Sequence, residues 1–290
     1  MKISMNVWYF NGSRTPGKRR SLEETMKLCA DAGFKAVDCA IDAWRDDWEA
    51  QVDATMNAAA KYGIELDQSH APFNFYSKLP REVFLKALGN SARAAVKMGI
   101  KTLVFHADEY HPPKGGLFDP KAALEEIYDC LAPSIELLTA GGVKAGLETV
   151  FDRGRDLPLD QRTHFCADIN ELIAIIDRFN DPMVGCCWDF GHARLAFGRD
   201  KHAEMIKKMG SRINCTHVQD NRGGGLDIHL PPFFGDMNWE ELMAALKSTG
   251  YSGSLTFEVI YSCLPDALIE DHARQLYRIG EVLADAFERS

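Results

Sequence analysis

Six apolar, strand-like runs in this chain each end in a side chain able to hold a metal ion. Ile64–His70 ends in His70, Thr102–His106 in His106, Lys144–Glu148 in Glu148, Val184–Asp189 in Asp189, Ile213–His217 in His217 and Leu255–Glu258 in Glu258. An open parallel barrel gathers the carboxyl ends of its strands around one mouth, where such proteins keep their chemistry. The strongest group is Glu148, Asp189, His217 and Glu258. Three carboxylates and one imidazole suit a hard-to-borderline divalent ion: Mn²⁺, Mg²⁺, Co²⁺, Fe²⁺ or Zn²⁺. Ligation by oxygen alone points to Mg²⁺ or Ca²⁺, and the imidazole shifts the weight toward Mn²⁺, Co²⁺ or Zn²⁺. Any one of these acids could instead be a buried carboxylate paired with Lys or Arg. Three carboxylates and an imidazole converging without such a partner point to a cation, because an uncompensated buried charge is costly.

A second set surrounds the first. His192 lies just beyond the sixth run, in Asp189-Phe190-Gly191-His192, and Asp227-Ile228-His229 lies in a Gly-rich loop after the seventh. With His70 and His106 these residues have three readings: further metal ligands, contacts to substrate hydroxyls, or satisfied loop residues.

The elements that must position these groups alternate. Strand-like runs cover Ile3–Phe10, Ala36–Ile41, Ile64–His70, Thr102–His106, Lys144–Val150, Val184–Asp189, Ile213–Val218 and Ser254–Ile260. Helical patterns fit Asp47–Tyr62, Arg81–Met98, Pro120–Ala140, Ile169–Phe179, His202–Met209, Trp239–Ser248 and Asp266–Phe287, and Ser21 with Glu24 forms a capping box ahead of another. Several helices end in a glycine that leads into the next strand, at Gly33, Gly63, Gly99, Gly141-Gly142 and Gly250, as a left-handed helix end requires. Eight such units in 290 residues, without a linker, predict one (β/α)₈ TIM-barrel domain over residues 1–290. A doubly wound sheet would carry a Gly-rich phosphate turn after its first strand, and Asn11–Gly17 does not fit that pattern.

Composition narrows the function. A net charge of −9 argues against a surface built for nucleic-acid phosphates. Eight cysteines without a Cys-x-x-Cys pair read as buried, reduced thiols. The amino-terminal run is broken by Asn6 and reads as a strand, and no run is long enough to span a membrane. These features predict a soluble, cytoplasmic protein with no membrane or nucleic-acid partner. A homo-oligomer stays open.

Six motifs carry a family resemblance: Gly146-Leu147-Glu148-Thr149, Trp188-Asp189-Phe190-Gly191-His192, His217-Val218-Gln219-Asp220-Asn221, His229-Leu230-Pro231-Pro232, Gly235-Asp236-Met237-Asn238-Trp239 and Leu255-Thr256-Phe257-Glu258. Together they resemble the xylose-isomerase-like TIM-barrel superfamily, in its sugar (phosphate) isomerase/epimerase branch, over nearly the whole chain. The resemblance implies one divalent ion on Glu148, Asp189, His217 and Glu258, with His192 touching substrate. It implies proton transfer by Glu148 and Glu258 on a small carbohydrate or polyol-derived ketone, passing through an enediolate. His70, His106, Asp227 and His229 join His192 as candidate substrate contacts. So does Arg222, because ketose epimerases carry an Arg after the corresponding His. Trp8, Phe10, Phe73 and Trp188 offer aromatic faces on which a sugar ring could stack. The same superfamily holds three-zinc AP endonucleases, which cleave abasic DNA. All nine of their ligand types have counterparts here: His70, His106, Glu148, Asp189, His192, His217, Asp227, His229 and Glu258. The acidic charge and the Asp227–Trp239 wording, which lacks basic character, favour the sugar enzyme.

Overall fold

The computed structural model describes all residues except 11–19, 113–115 and 261–263, and gives Tyr9 and Phe10 by their backbone alone. Its strands are β1 (Lys2–Asn6), β2 (Ala36–Asp38), β3 (Glu65–His70), β4 (Thr102–His106), β5 (Lys144–Glu148), β6 (Val184–Asp189), β7 (Ile213–Val218) and β8 (Ser254–Phe257). They pair in sequence order, all parallel, and β8 returns to β1 with Lys2 opposite Ser254 and Met5 opposite Phe257, closing the barrel. The helices are α1 (Val7–Phe10), α2 (Leu22–Ala32), α3 (Trp48–Tyr62), α4 (Arg81–Met98), α5 (Pro120–Ala140), α6 (Ile169–Phe179), α7 (Phe190–Phe197), α8 (His202–Met209), α9 (Trp239–Ser248) and α10 (Ile269–Arg289). This is the (β/α)₈ TIM barrel that the alternating pattern predicts.

Local chemistry sets the element ends. The Ser21 hydroxyl accepts from the Glu24 amide, and the Glu24 carboxylate accepts the Ser21 N–H at 2.7 Å, closing the capping box that starts α2. Gly33 ends that helix at φ +111°. After α5, it is Gly142 that turns left-handed (φ +80°). Gly141 keeps φ −82° and is needed for space, since a Cβ there would lie 2.4 Å from Val96 Cγ2.

Several boundaries differ from expectation, among them β5, which stops at Glu148 and not at Val150. β1 stops at Asn6, whose side-chain oxygen accepts the Trp8 N–H at 3.0 Å and bends the chain into α1. β2 stops at Asp38, and β8 one residue before Glu258. α7 was not anticipated; the Asp189 carboxylate caps it by accepting the His192 N–H at 2.7 Å. The turn over residues 11–17 lies outside the described residues, as does Cys263. The other seven cysteines are buried, free thiols. Among the described residues, no helix is long and apolar enough to cross a membrane.

Side chains alternate across a strand, so the residue two places before each strand-end group shares its face. Those residues are Ser4, Ala36, Gln68, Val104, Gly146, Cys187, Cys215 and Thr256, and all are buried. They form the layer inside the barrel directly beneath the mouth. Gln68 Nε2 donates to Thr256 Oγ1 between β3 and β8, which are not neighbours in the sheet. Val104, Cys187 and Cys215 form a small cluster separate from the large core between sheet and helices. Gly146 keeps that layer open, since a Cβ would sit 2.7 Å from Cys215 Sγ. This floor lifts the next inward residue of each strand to the rim.

Candidate metal centre

At the rim, one donor atom from each of Glu148, Asp189, His217 and Glu258 lies within 4.8 Å of the other three, and all four side chains are buried. His217 Nδ1 is 3.2 Å from Glu148 Oε1, 3.6 Å from Glu258 Oε1 and 4.0 Å from Asp189 Oδ2. Ligands held at about 2.0–2.2 Å from one ion stand roughly 3–4 Å apart. Neither ring nitrogen of His217 makes a hydrogen bond, although the ring is fully buried. Among the described residues, the ion pairs of the three carboxylates are with imidazoles, not with Lys or Arg. The donor set, its spacing and the orphaned imidazole fit a divalent cation.

Charge in the site is finely opposed. Burial pushes the Glu148 carboxyl up, but His217, His106 and His192 outweigh it and hold the group well below the ordinary range. Burial, with Glu148 alongside, raises Asp189 to about 6. Burial alone would depress His217, yet Glu258 and Glu148 drive it well above its usual value.

Glu148 is the hub. Its Oε2 lies 3.1 Å from His70 Nε2 and 3.2 Å from His106 Nε2, while its Oε1 lies 3.1 Å from His192 Nδ1. Two further groups could hold ions: His70, His106 and Glu148, and His192, Asp227 and His229. Backbone carbonyls orient their rings, Ala71 O lying 2.7 Å from His70 Nδ1 and Glu258 O lying 2.8 Å from His229 Nδ1. Each then turns Nε2 to a carboxylate, His229 toward Asp227 at 2.7 Å. All nine candidate ligands therefore face one mouth.

Other sequence candidates divide. Phe73 is part-exposed and stacks on His106 with ring centroids 4.6 Å apart, so it does line the mouth. Trp8 is also part-exposed. Trp188 does not line the mouth: it is fully buried and packs on Phe197 and His202. The Phe10 side chain lies outside the described residues. Arg222 is not aimed at the ligands, because Nε and Nη2 both donate to the Phe234 carbonyl, at 3.2 and 2.9 Å.

Three contributors escaped the sequence reading. Asp38, at the end of β2, is fully buried behind His217, with Oδ2 3.7 Å from His217 Nε2. Asn6, at the end of β1, donates to Glu258 Oε1 at 2.8 Å. Gln219 donates to Asp189 Oδ1 and to Asp227 Oδ1, each at 3.2 Å, tying the two ligand groups together. It fits because residue 191 is glycine; a Cβ there would lie 2.1 Å from the Gln219 side chain. Asn6 and Asp38 occupy the strand-end position of β1 and β2, but the apolar runs there continue to Phe10 and Ile41 and masked it.

A family model described as xylose isomerase-like TIM barrel matches residues 26–279. The chain belongs to that family. Similar solved structures include a xylose isomerase domain protein from Alicyclobacillus acidocaldarius, with TM-score 0.75 and 20% identity over 99% of both chains. A D-psicose 3-epimerase solved in the presence of D-fructose matches 98% of this chain and 99% of its own at TM-score 0.74 and 16% identity. The IOLI protein with a bound zinc atom matches at TM-score 0.69 and 16% identity, covering 100% of this chain and 99% of its own. At these identities the likeness is one of fold.

Proposed function

We propose that this protein is a divalent-metal-dependent isomerase or epimerase, moving a proton through an enediolate on a small carbohydrate or polyol-derived ketone. The convergence of Glu148, Asp189, His217 and Glu258 on one set of donor positions carries the reading. Their structural neighbours, which include a ketose 3-epimerase and a zinc-holding barrel, support it.

The four residues would hold one ion: Mn²⁺, Zn²⁺, Co²⁺ or Mg²⁺. When bound, the ion supplies Lewis acidity and positive charge beside the substrate's carbonyl, which acidifies the adjacent C–H. Glu148 and Glu258 come from β5 and β8, three strands apart in the closed order, so their carboxylates reach the mouth from facing sides. Glu258, which Asn6 orients, would take the proton on one face, and Glu148, protonated beforehand by a neighbouring imidazole, would supply one on the other. Delivery of a proton by Glu148 on the other face gives epimerisation. Transfer between neighbouring carbons on one face gives aldose–ketose isomerisation. His70, His106, His192, Asp227 and His229 orient hydroxyls, and Phe73 and Trp8 offer stacking faces.

A second reading rests on one specific observation. The two additional ligand groups are complete in the structure, which is the arrangement a three-metal phosphodiesterase acting on abasic DNA would need. The net charge of −9 opposes it. Elemental analysis of the purified protein separates the two. One equivalent of metal that is lost in His217→Ala supports the sugar enzyme. Three equivalents, with metal-dependent cleavage of abasic DNA, would establish the phosphodiesterase instead.

A further inference from the structure

Beside the metal centre lies a pocket of about 310 Å³ whose wall includes Lys78, His111, Arg153, His164, Phe75 and Phe151. It adjoins the ligand groups directly. Phe151 packs on His192 with ring centroids 5.3 Å apart, and Asp108 lies 3.9 Å from both His106 and His164. Phe75 covers His164 at 4.2 Å and His111 at 4.7 Å.

The pocket's charge is unbalanced. Its one carboxylate, Asp152, is taken up by its own loop: it accepts the Arg153 N–H at 2.8 Å, the Thr163 N–H at 2.6 Å, the Thr163 hydroxyl at 2.8 Å and the His164 N–H at 3.0 Å. Among the described residues, the Lys78 ammonium and the Arg153 guanidinium have no carboxylate partner. Lys78 is also placed at a cost. Its φ is +50°, which a side-chain-bearing residue adopts only where the surroundings impose it. Buried Asn74 imposes it, with its carbonyl accepting the Lys78 N–H, its side-chain oxygen the Leu79 N–H, and its amide donating to Leu79 O, at 2.8, 2.8 and 3.0 Å. Outliers held this firmly cluster at ligand sites.

We propose that this pocket binds the anionic end, a phosphate monoester or a carboxylate, of the substrate whose carbonyl end lies at the metal centre. Two unpaired cations with flanking imidazoles recognise an oxyanion, and aromatic walls suit the carbons that join it to the reacting end. The sugar attached to that anion rests on the function proposed above; the anion itself does not.

The test is calorimetric titration of the metal-loaded protein with inorganic phosphate, a ketohexose, its 6-phosphate and the corresponding hexulonate. The variant is Lys78→Asn with Arg153→Ala, asparagine being chosen because it tolerates a left-handed backbone. The 6-phosphate or the hexulonate should bind at least about tenfold more tightly than the neutral ketose, about 1.4 kcal/mol. The better of the two names the anion. The variant should lose that advantage and its affinity for inorganic phosphate while retaining its metal. Phosphate affinity equal in wild type and variant overturns the proposal, as does equal binding of neutral and anionic ketoses. If phosphate binding falls in the variant but no ketose binds, the anion pocket stands and the sugar-enzyme reading falls.

Discussion

Asp38 faces the ligand His217 from behind, both fully buried, with neither Asp38 oxygen hydrogen-bonded. A carboxylate behind a ligating imidazole fixes the ring and raises its basicity, and losing such a partner typically costs 10- to 100-fold in metal affinity. Asp38→Asn should therefore weaken metal binding by roughly that factor in a chelator competition assay while leaving the circular dichroism spectrum intact. An unchanged affinity would show that Asp38 is only filling space. At the reacting group, Glu258→Gln is nearly isosteric, and its oxygen can still accept from Asn6. It should lower turnover at least about 10²-fold by removing a proton carrier and an anionic ligand. His229→Ala should cost far less in a one-metal enzyme; an equal loss in the two variants would point to a three-metal site. The strand-end ligands were legible because an apolar run closing in an acid or histidine marks a strand and its rim together. Asp38 was hidden because Cys39, Ala40 and Ile41 extend the apolar run past the point where β2 ends. The direction taken by Arg222 was not legible, since the Phe234 carbonyl that holds it belongs to an irregular loop.

Among the helices, α8 carries a residue that couples stability to pH. His202 is buried against Trp188, whose indole N–H donates to His202 Nε2 at 3.3 Å, so the proton of the neutral ring sits on Nδ1. Burial, helped by Arg194, lowers its pKa to about 3. The unfolded chain would protonate near the ordinary value of 6.5, so between these values it binds the extra proton and the fold does not. The stabilising contribution is thus complete above about pH 6.5 and is lost as pH falls toward 3. His202→Gln keeps an acceptor for Trp188 and does not titrate. Plotted against pH from 4 to 6, its unfolding free energy from urea midpoints should fall less steeply than that of the wild type, by up to about 1.4 kcal/mol per pH unit. Parallel curves would assign the acid sensitivity elsewhere. The boundaries of α6, α8 and α9 were readable from their apolar spacing and caps. α7 was not, because its eight residues open on Phe190-Gly191 and its start depends on a cap from Asp189, which the sequence reading assigned to metal alone.

Across the whole molecule, eight strand ends converge on a buried rim whose carboxylates have imidazoles, not Lys or Arg, as ion-pair partners among the described residues. Such a rim should depend on its ion. Divalent metal at 100 times its dissociation constant stabilises a folded protein that binds it by about 2.7 kcal/mol. For a chain of this size that corresponds to a rise of roughly 4–5 °C in melting temperature, reversed by a chelator. A melting temperature indifferent to both would contradict a structural coupling between ion and barrel. The fold was legible at this scale because alternating strands, helices and glycine ends leave few other arrangements. The basic pocket beside the mouth was not, because Lys78, Arg153 and His164 are scattered in sequence and meet only through the loops after β3 and β5. The most direct test of the central claim is incubation of the metal-loaded protein with a panel of ketoses and inososes in deuterated water, followed by mass spectrometry. The account predicts deuterium at the carbon next to the carbonyl of at least one substrate, abolished by chelator and by Glu258→Gln. No incorporation into any of them, alongside metal-dependent cleavage of abasic DNA, would contradict it.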